Sequence, residues 1–396
     1  MAGRVFLHVG GLKTGTTYLQ RLMWANRERL SAVGTLFPGE DDRDHVWASI
    51  TVRHGTPPSE RAARAWEIIL AQVRDFPGDA VISHEFLGLA TRAQAEAALA
   101  CLAPAEVHVV YTARDLIRVV PALWQEQVKY RHTGRLSDFR LHPDAPANPN
   151  ELFGWRGVDV VGALRRWGAT LPPSRVHVVT VPRPGAPSEL LWQRFASACG
   201  IDVATVAPDQ VRANNSMGAV EVELLRRVNS RLADEIRGPG EVPMWTRNYL
   251  ADHVLAIGGG ARFGLDDQRR KEMYEWGAES VARLREAGYQ VVGDLDELLG
   301  DPDAAYPADP DRVGDDALLD AALNAMSTML SDYRQVWRDR RSLRRQLRRA
   351  REMLQGARRP SDAREHGAAR LGVSPQSASR GRWWRRPRRH GPTVQG

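Results

Sequence analysis

The chain has 396 residues with 43% hydrophobic content, enough for one large α/β domain and an appendage or for two domains. Two cysteines, Cys101 and Cys199, exclude a disulfide framework and a cysteine-based metal site, and no apolar run reaches 18 residues, which argues against a membrane-spanning helix. The net charge of +7 hides an asymmetry, because residues 331–396 hold 19 Arg against 5 Asp+Glu while the rest of the chain is acidic. With no charged-then-apolar leader, the sequence reads as a soluble, cytoplasmic protein.

In chain order, Arg4-Val5-Phe6-Leu7-His8-Val9 reads as a buried strand. Gly10-Gly11-Leu12-Lys13-Thr14-Gly15-Thr16-Thr17 follows, and Tyr18 to Trp24 has apolar residues at helical spacing. Strand, Gly/Thr loop and helix make a phosphate cradle, in which backbone N–H groups turn inward and the helix N-terminus adds its positive end. Lys13 supplies a point charge and the threonines further donors. The alternative is a threonine-capped turn with Lys13 in solvent. Lysine occurs only at 13, 129 and 271, so its place in this loop is informative: a compact ammonium reaches where a guanidinium crowds.

Trp47 to Arg74 reads as helix interrupted at Thr56-Pro57-Pro58. Asp79–Ser83 is a second strand, ending in His84-Glu85, with a helix over Arg92–Leu102. Glu106–Thr112 is a third strand, followed by Ala113-Arg114-Asp115 and a helix through Trp124 and Lys129. Strands alternating with helices predict a three-layer, doubly wound parallel sheet whose ligands sit at the carboxyl ends, where Lys13, Glu85 and Arg114 converge. Residues 131–157, rich in Pro and Asn, predict a long loop over that crevice. Further expectations are a helix over 158–168, a strand over Arg175–Val181, helices over 188–199, 216–236, 243–256 and 266–287, and an edge strand at Tyr289–Gly293.

Residues 301–314 are rich in Asp and Pro and read as a linker after a domain of residues 1–300. A helix over 315–355 follows. Its Leu319, Leu323, Met326, Leu330, Tyr333 and Trp337 recur in four- and three-residue steps, and Leu343, Leu347, Ala350 and Leu354 resume the pattern after Arg340. This seam pairs two chains or packs on the body. Residues 356–396 read as a disordered Arg-rich tail. Its Trp383-Trp384 among arginines suits an anionic membrane surface, while Arg-rich ends also bind nucleic acid without specificity; a plain solubilising extension is the simplest reading.

The Lys13-Thr14-Gly15-Thr16-Thr17 order differs from the ATP-binding loop, where Lys follows the last Gly. It resembles the 5′-phosphosulfate loop of sulfotransferases that use 3′-phosphoadenylyl sulfate (PAPS). That loop typically reads P-K-[ST]-G-T-[ST], and Leu12 stands here where Pro is common. The resemblance covers about residues 1–300 and implies sulfuryl transfer from PAPS to a hydroxyl or amine, with Lys13 on the leaving oxygen and no metal. It implies a 3′-phosphate site at Arg114, followed eight residues on by Ser; position 122 is Ala, so Thr112 or Arg118 would have to stand in. The family's base is His or Glu. Glu85 is favoured over His84, and either also fits a plain helix-capping carboxylate or turn histidine; His45 and Glu126 are lesser candidates. Asn214-Asn215-Ser216 reads as an N-cap, with Ser216 or Arg212 a candidate for the cofactor pocket. Lys129 lines the acceptor site or is a solvated helix residue, the second being favoured. The acceptor is a carbohydrate, a lipid-linked sugar or a small metabolite. Two other functions fit less of the sequence: a P-loop kinase or NTPase, and a non-catalytic adaptor acting through its C-terminal helix and tail.

Overall fold

A computed structural model describes residues 2–57, 59–143, 152–206, 216–232, 234–238, 240–256, 259–306 and 308–357. The first strand, β1 (Arg4–His8), buries Val5, Phe6, Leu7 and His8 completely or nearly so. A run buried on both faces is what a central parallel strand requires. The chain continues through α1 (Thr16–Ala25), α2 (Arg27–Ala32), β2 (Thr35–Leu36), α3 (Asp44–His54) and α4 (Glu60–Asp75). Ser59 starts α4 by accepting a hydrogen bond from the Ala62 amide at 3.2 Å. Then come β3 (Asp79–Ser83), a 3₁₀ turn (Glu85–Leu89), α5 (Arg92–Cys101), β4 (Glu106–Ala113) and α6 (Leu116–Lys129). Thr91 and Gln94 form a capping box on α5, and Asp115 caps α6 at the Arg118 amide. The remainder is α7 (Val160–Trp167), β5 (Val176–Thr180), α8 (Leu190–Cys199), α9 (Ala219–Asn229), a π-helical stretch (Val242–Leu255), α10 (Asp267–Ala287), β6 (Gln290–Val292) and α11 (Asp315–Ala357).

Among the described residues six strands form one sheet in the order β2-β3-β1-β4-β5-β6, and every neighbouring pair is parallel. Leu7 lies opposite Ile82 of β3 and Val109 of β4. The chain therefore leaves β1 towards one edge, returns at β3 and crosses to β4, so the switch point lies at the carboxyl end of β1. Side chains alternate across the sheet. Val5, Leu7 and Val9 pack with α3, α4, α5 and α7 on one face, and Phe6 packs with α1, α2 and α8 on the other. The protein is thus an α/β fold of three layers. A third apolar cluster joins α6, α9, the π-helical stretch and the start of α10. Among the described residues no helix is long and apolar enough to cross a membrane.

Several elements differ from the sequence reading. The two-residue β2 has no pattern of its own and exists by pairing Thr35 and Leu36 with β3. The helix expected over 216–236 stops at Asn229, because the Arg131 guanidinium takes the carbonyls of Asn229, Leu232 and Ile236. The linker composition of 301–314 does not leave this stretch free of the body: the Asp311 carboxylate accepts from the Leu136 and Ser137 amides at 3.3 and 2.8 Å, and Pro310 is buried. The compact unit carrying the sheet extends to Ser331, and the rest of α11 belongs to a second unit. Part of the expected crevice loop (144–151), Arg212, Asn214 and Asn215, and the Arg-rich tail from residue 358 lie outside the described residues.

Candidate active site

The loop after β1 is built from the inside outward. His8 is fully buried between the hydroxyls of Ser83 (2.8 Å from Nδ1) and Thr112 (3.1 Å from Nε2), and burial lowers its pKa to about 3, so it is neutral. Thr112 also pairs with the Thr14 hydroxyl at 2.7 Å, and Thr14 donates to the Gly11 carbonyl at 2.6 Å. Thr14 and Thr16 are buried, and their hydroxyls fasten the loop from below, Thr14 to Thr112 of β4 and Thr16 to the Gly11 carbonyl within the loop. Thr17 is half-buried at the first turn of α1.

Lys13 and Gly15 both take positive φ, 61° and 87°. For a lysine this is an unfavourable backbone state, which the surrounding contacts must hold. A Cβ on Gly15 would lie 2.5 Å from Leu191 Cδ2, a side-chain end that can shift, so it is the left-handed backbone that calls for glycine there. The amides of Lys13, Thr14, Gly15, Thr16 and Thr17 find no acceptor among the described residues. Five free donors at the start of α1 form a cradle for anionic oxygens.

The Lys13 ammonium leaves this loop for α6, where it donates to Glu126 Oε2 at 2.7 Å. The other Glu126 oxygen accepts from Arg247 Nε at 2.8 Å, from the π-helical stretch. Burial disfavours the Glu126 charge, but Lys13 and Arg247 outweigh it and hold its pKa down at about 2. One carboxylate therefore bridges two cations beside the cradle. Arg247 lies 5.9 Å from the Tyr130 ring, and Lys129 donates to Asp252 at 2.5 Å, so this rim is a network of charged and aromatic groups. Lys129 is buried, which corrects the expectation of a solvated residue: the π-helical stretch covers it with Asp252.

Arg114 lies behind the loop. Its Nη1 donates to the Lys13 carbonyl at 3.1 Å, and burial lowers its pKa to about 10, with Arg118 adding to the effect. Its Nε is buried without a partner among the described residues. A narrow recess of about 20 Å³ lies beside it, lined by Gly11, Thr14, Tyr111, Trp155 and Asp159. The substitutes suggested for a hydroxyl at Ala122 are both committed elsewhere. Thr112 binds His8 and Thr14, while Arg118 binds Asp115 and the Pro182 carbonyl.

Glu85 opens the 3₁₀ turn after β3 and accepts from Gln20 of α1 at 3.3 Å. Its neighbour His84 is used as a cap, its Nδ1 accepting from the Phe86 amide at 3.2 Å, and burial lowers its pKa. His45 is removed from consideration as a base. Its Nδ1 accepts from the Ser83 amide, which leaves Nε2–H to donate to the Pro38 carbonyl at 2.7 Å, and burial brings its pKa to about 4. Ser216 is exposed and donates to Gln125 of α6, one residue from Glu126. The structure thus brings Lys13, Glu126, Arg247, Tyr130 and Arg114 to the switch point, of which Arg247 and Tyr130 had no signal in the sequence.

The chain is similar in structure to a sulfotransferase from Alicyclobacillus acidocaldarius. The TM-score is 0.41 at 13% sequence identity, over 73% of this chain and 96% of that one. No protein-family model matches the sequence, and no curated protein matches it.

Proposed function

We propose that the chain transfers a sulfuryl group from PAPS to the hydroxyl or amine of an acceptor. The observation that carries this reading is the loop itself: five free amides, a positive-φ lysine and an anion already seated on that lysine. The Glu126 carboxylate on Lys13 and Arg247 marks where a negative charge is stabilised, and the donor set suits phosphate and sulfate oxygens better than a metal ion. When bound, PAPS supplies an electrophilic sulfur: the acceptor atom forms a bond to sulfur, the bridging S–O bond breaks, 3′,5′-ADP leaves, and the acceptor proton passes to a base.

The chain's own residues divide this work. The amides of residues 13–17 hold oxygens in fixed orientation, and the Lys13 ammonium neutralises charge on the departing oxygen. Arg114 acts as a positioning residue, holding the Lys13 carbonyl and with it the loop's shape. Glu85 is the favoured base, because His45 has both nitrogens engaged and Glu126, held near pKa 2 by its two cations, is a poor proton acceptor while that pairing lasts. The rim of Tyr130, Lys129 and Asp252 offers an acceptor such as a carbohydrate both an aromatic face and polar partners.

Calorimetric titration with 3′,5′-ADP, 5′-AMP and Mg-ATP tests the class of ligand. Binding of 3′,5′-ADP without metal is expected. Binding of Mg-ATP alone would move the function to a kinase or NTPase, and binding of none would leave an adaptor.

A further inference from the structure

Helix α11 carries an apolar seam that the described residues do not cover. Leu318 and Ala325 are buried, whereas Leu319, Leu323, Met326, Leu330, Tyr333 and Trp337 are all more than half exposed. Continued in the same four- and three-residue steps, the seam passes through Arg340, Arg344, Leu347, Arg351 and Leu354. The flanking row, Met329, Val336 and Leu343, is also apolar and exposed. A face this wide along a helix of about 65 Å calls for a partner helix.

The charges say which one. From Asp315 to Tyr333 the helix has four aspartates and no basic residue; from Arg334 to Leu354 it has nine arginines against Asp339 and Glu352. We infer that α11 pairs with α11 of a second copy of this chain, antiparallel, about a two-fold axis at Gln335. A parallel pair would set arginine on arginine at 340, 344 and 351. The antiparallel pair sets Arg340 against Leu330 of the second copy, Arg344 against Met326 and Arg351 against Leu319, with Leu347 meeting Leu323 and Trp337 meeting Tyr333. The arginine stems lie on apolar surface and their guanidiniums reach the acidic half. On one flank Asp320 meets Arg348; on the other, Met329 meets Leu343 and Val336 meets itself. The arginines that interrupt the seam are thereby explained by its direction. The acidic half would be repelled by an anionic membrane.

The test uses the full chain, independently of any activity. Sedimentation equilibrium should give twice 44.1 kDa. Leu323→Asp with Leu330→Asp, both exposed in the single chain, should leave circular dichroism unchanged and yield a monomer. Asp320→Arg should weaken the dimer about tenfold, and adding Arg348→Asp should restore it. A spin label at Arg351→Cys, in a Cys101→Ser background, should report about 48 Å between copies from the helix rise. A monomeric wild type, a dimer that survives the paired aspartates, a short distance at position 351, or a monomer that floats with phosphatidylglycerol vesicles would each overturn the inference.

Discussion

Lys13 sits on a carboxylate, so an incoming anion must displace Glu126 before it gains the ammonium. Glu126→Gln removes that competitor while leaving Lys13 and Arg247 in place. The expected outcome is 3′,5′-ADP binding about tenfold tighter, near 1.4 kcal/mol, by calorimetry; weaker binding would mean that Glu126 supports the site. Glu85→Gln should lower kcat far more than it changes 3′,5′-ADP affinity, and the reverse pattern would point to another base. The loop was legible in the sequence because its residues are contiguous. Glu126 entered only as a lesser base candidate and Arg247 not at all, because Glu126 lies 113 positions beyond Lys13 and Arg247 a further 121, and both come to the loop only through packing of α6 and the π-helical stretch. Lys129 was misread for the same reason: its cover, Asp252, lies on a distant segment.

At the scale of elements, the turn from β1 into α1 depends on Gly15. Gly15→Ala puts a side chain on a left-handed backbone and pushes the Leu191 methyl aside. A loss of about 2 kcal/mol in urea unfolding is expected, with 3′,5′-ADP binding lost as well. Unchanged binding would detach the loop geometry from the site. The parallel strands and long helices were readable because uninterrupted apolar runs and helical periodicity do not depend on distant partners. β2 and the end of α9 were not readable: one exists by pairing with β3, and the other is set by Arg131, 98 residues away in sequence from Asn229.

For the whole molecule, stability should fall on the acid side of neutrality. His8 and His45 are neutral in the fold, with pKa values lowered to about 3 and about 4 by burial, but they take a proton below about 6.5 once unfolded. The unfolded chain therefore binds more protons, and stability is lost as pH falls from about 6.5 towards 4. At pH 5 each contributes a loss of about 2 kcal/mol, measurable by urea unfolding at pH 7 and 5. His45→Asn should flatten that dependence, and an unchanged slope would assign it to other groups. The central claim is that the sheet's switch point is an anion cradle completed by Lys13. Its most direct test is calorimetric titration of wild type and Lys13→Ala with 3′,5′-ADP in the absence of metal. The account predicts tight binding to wild type and its loss in a variant that remains folded; equal affinity in the two would contradict it.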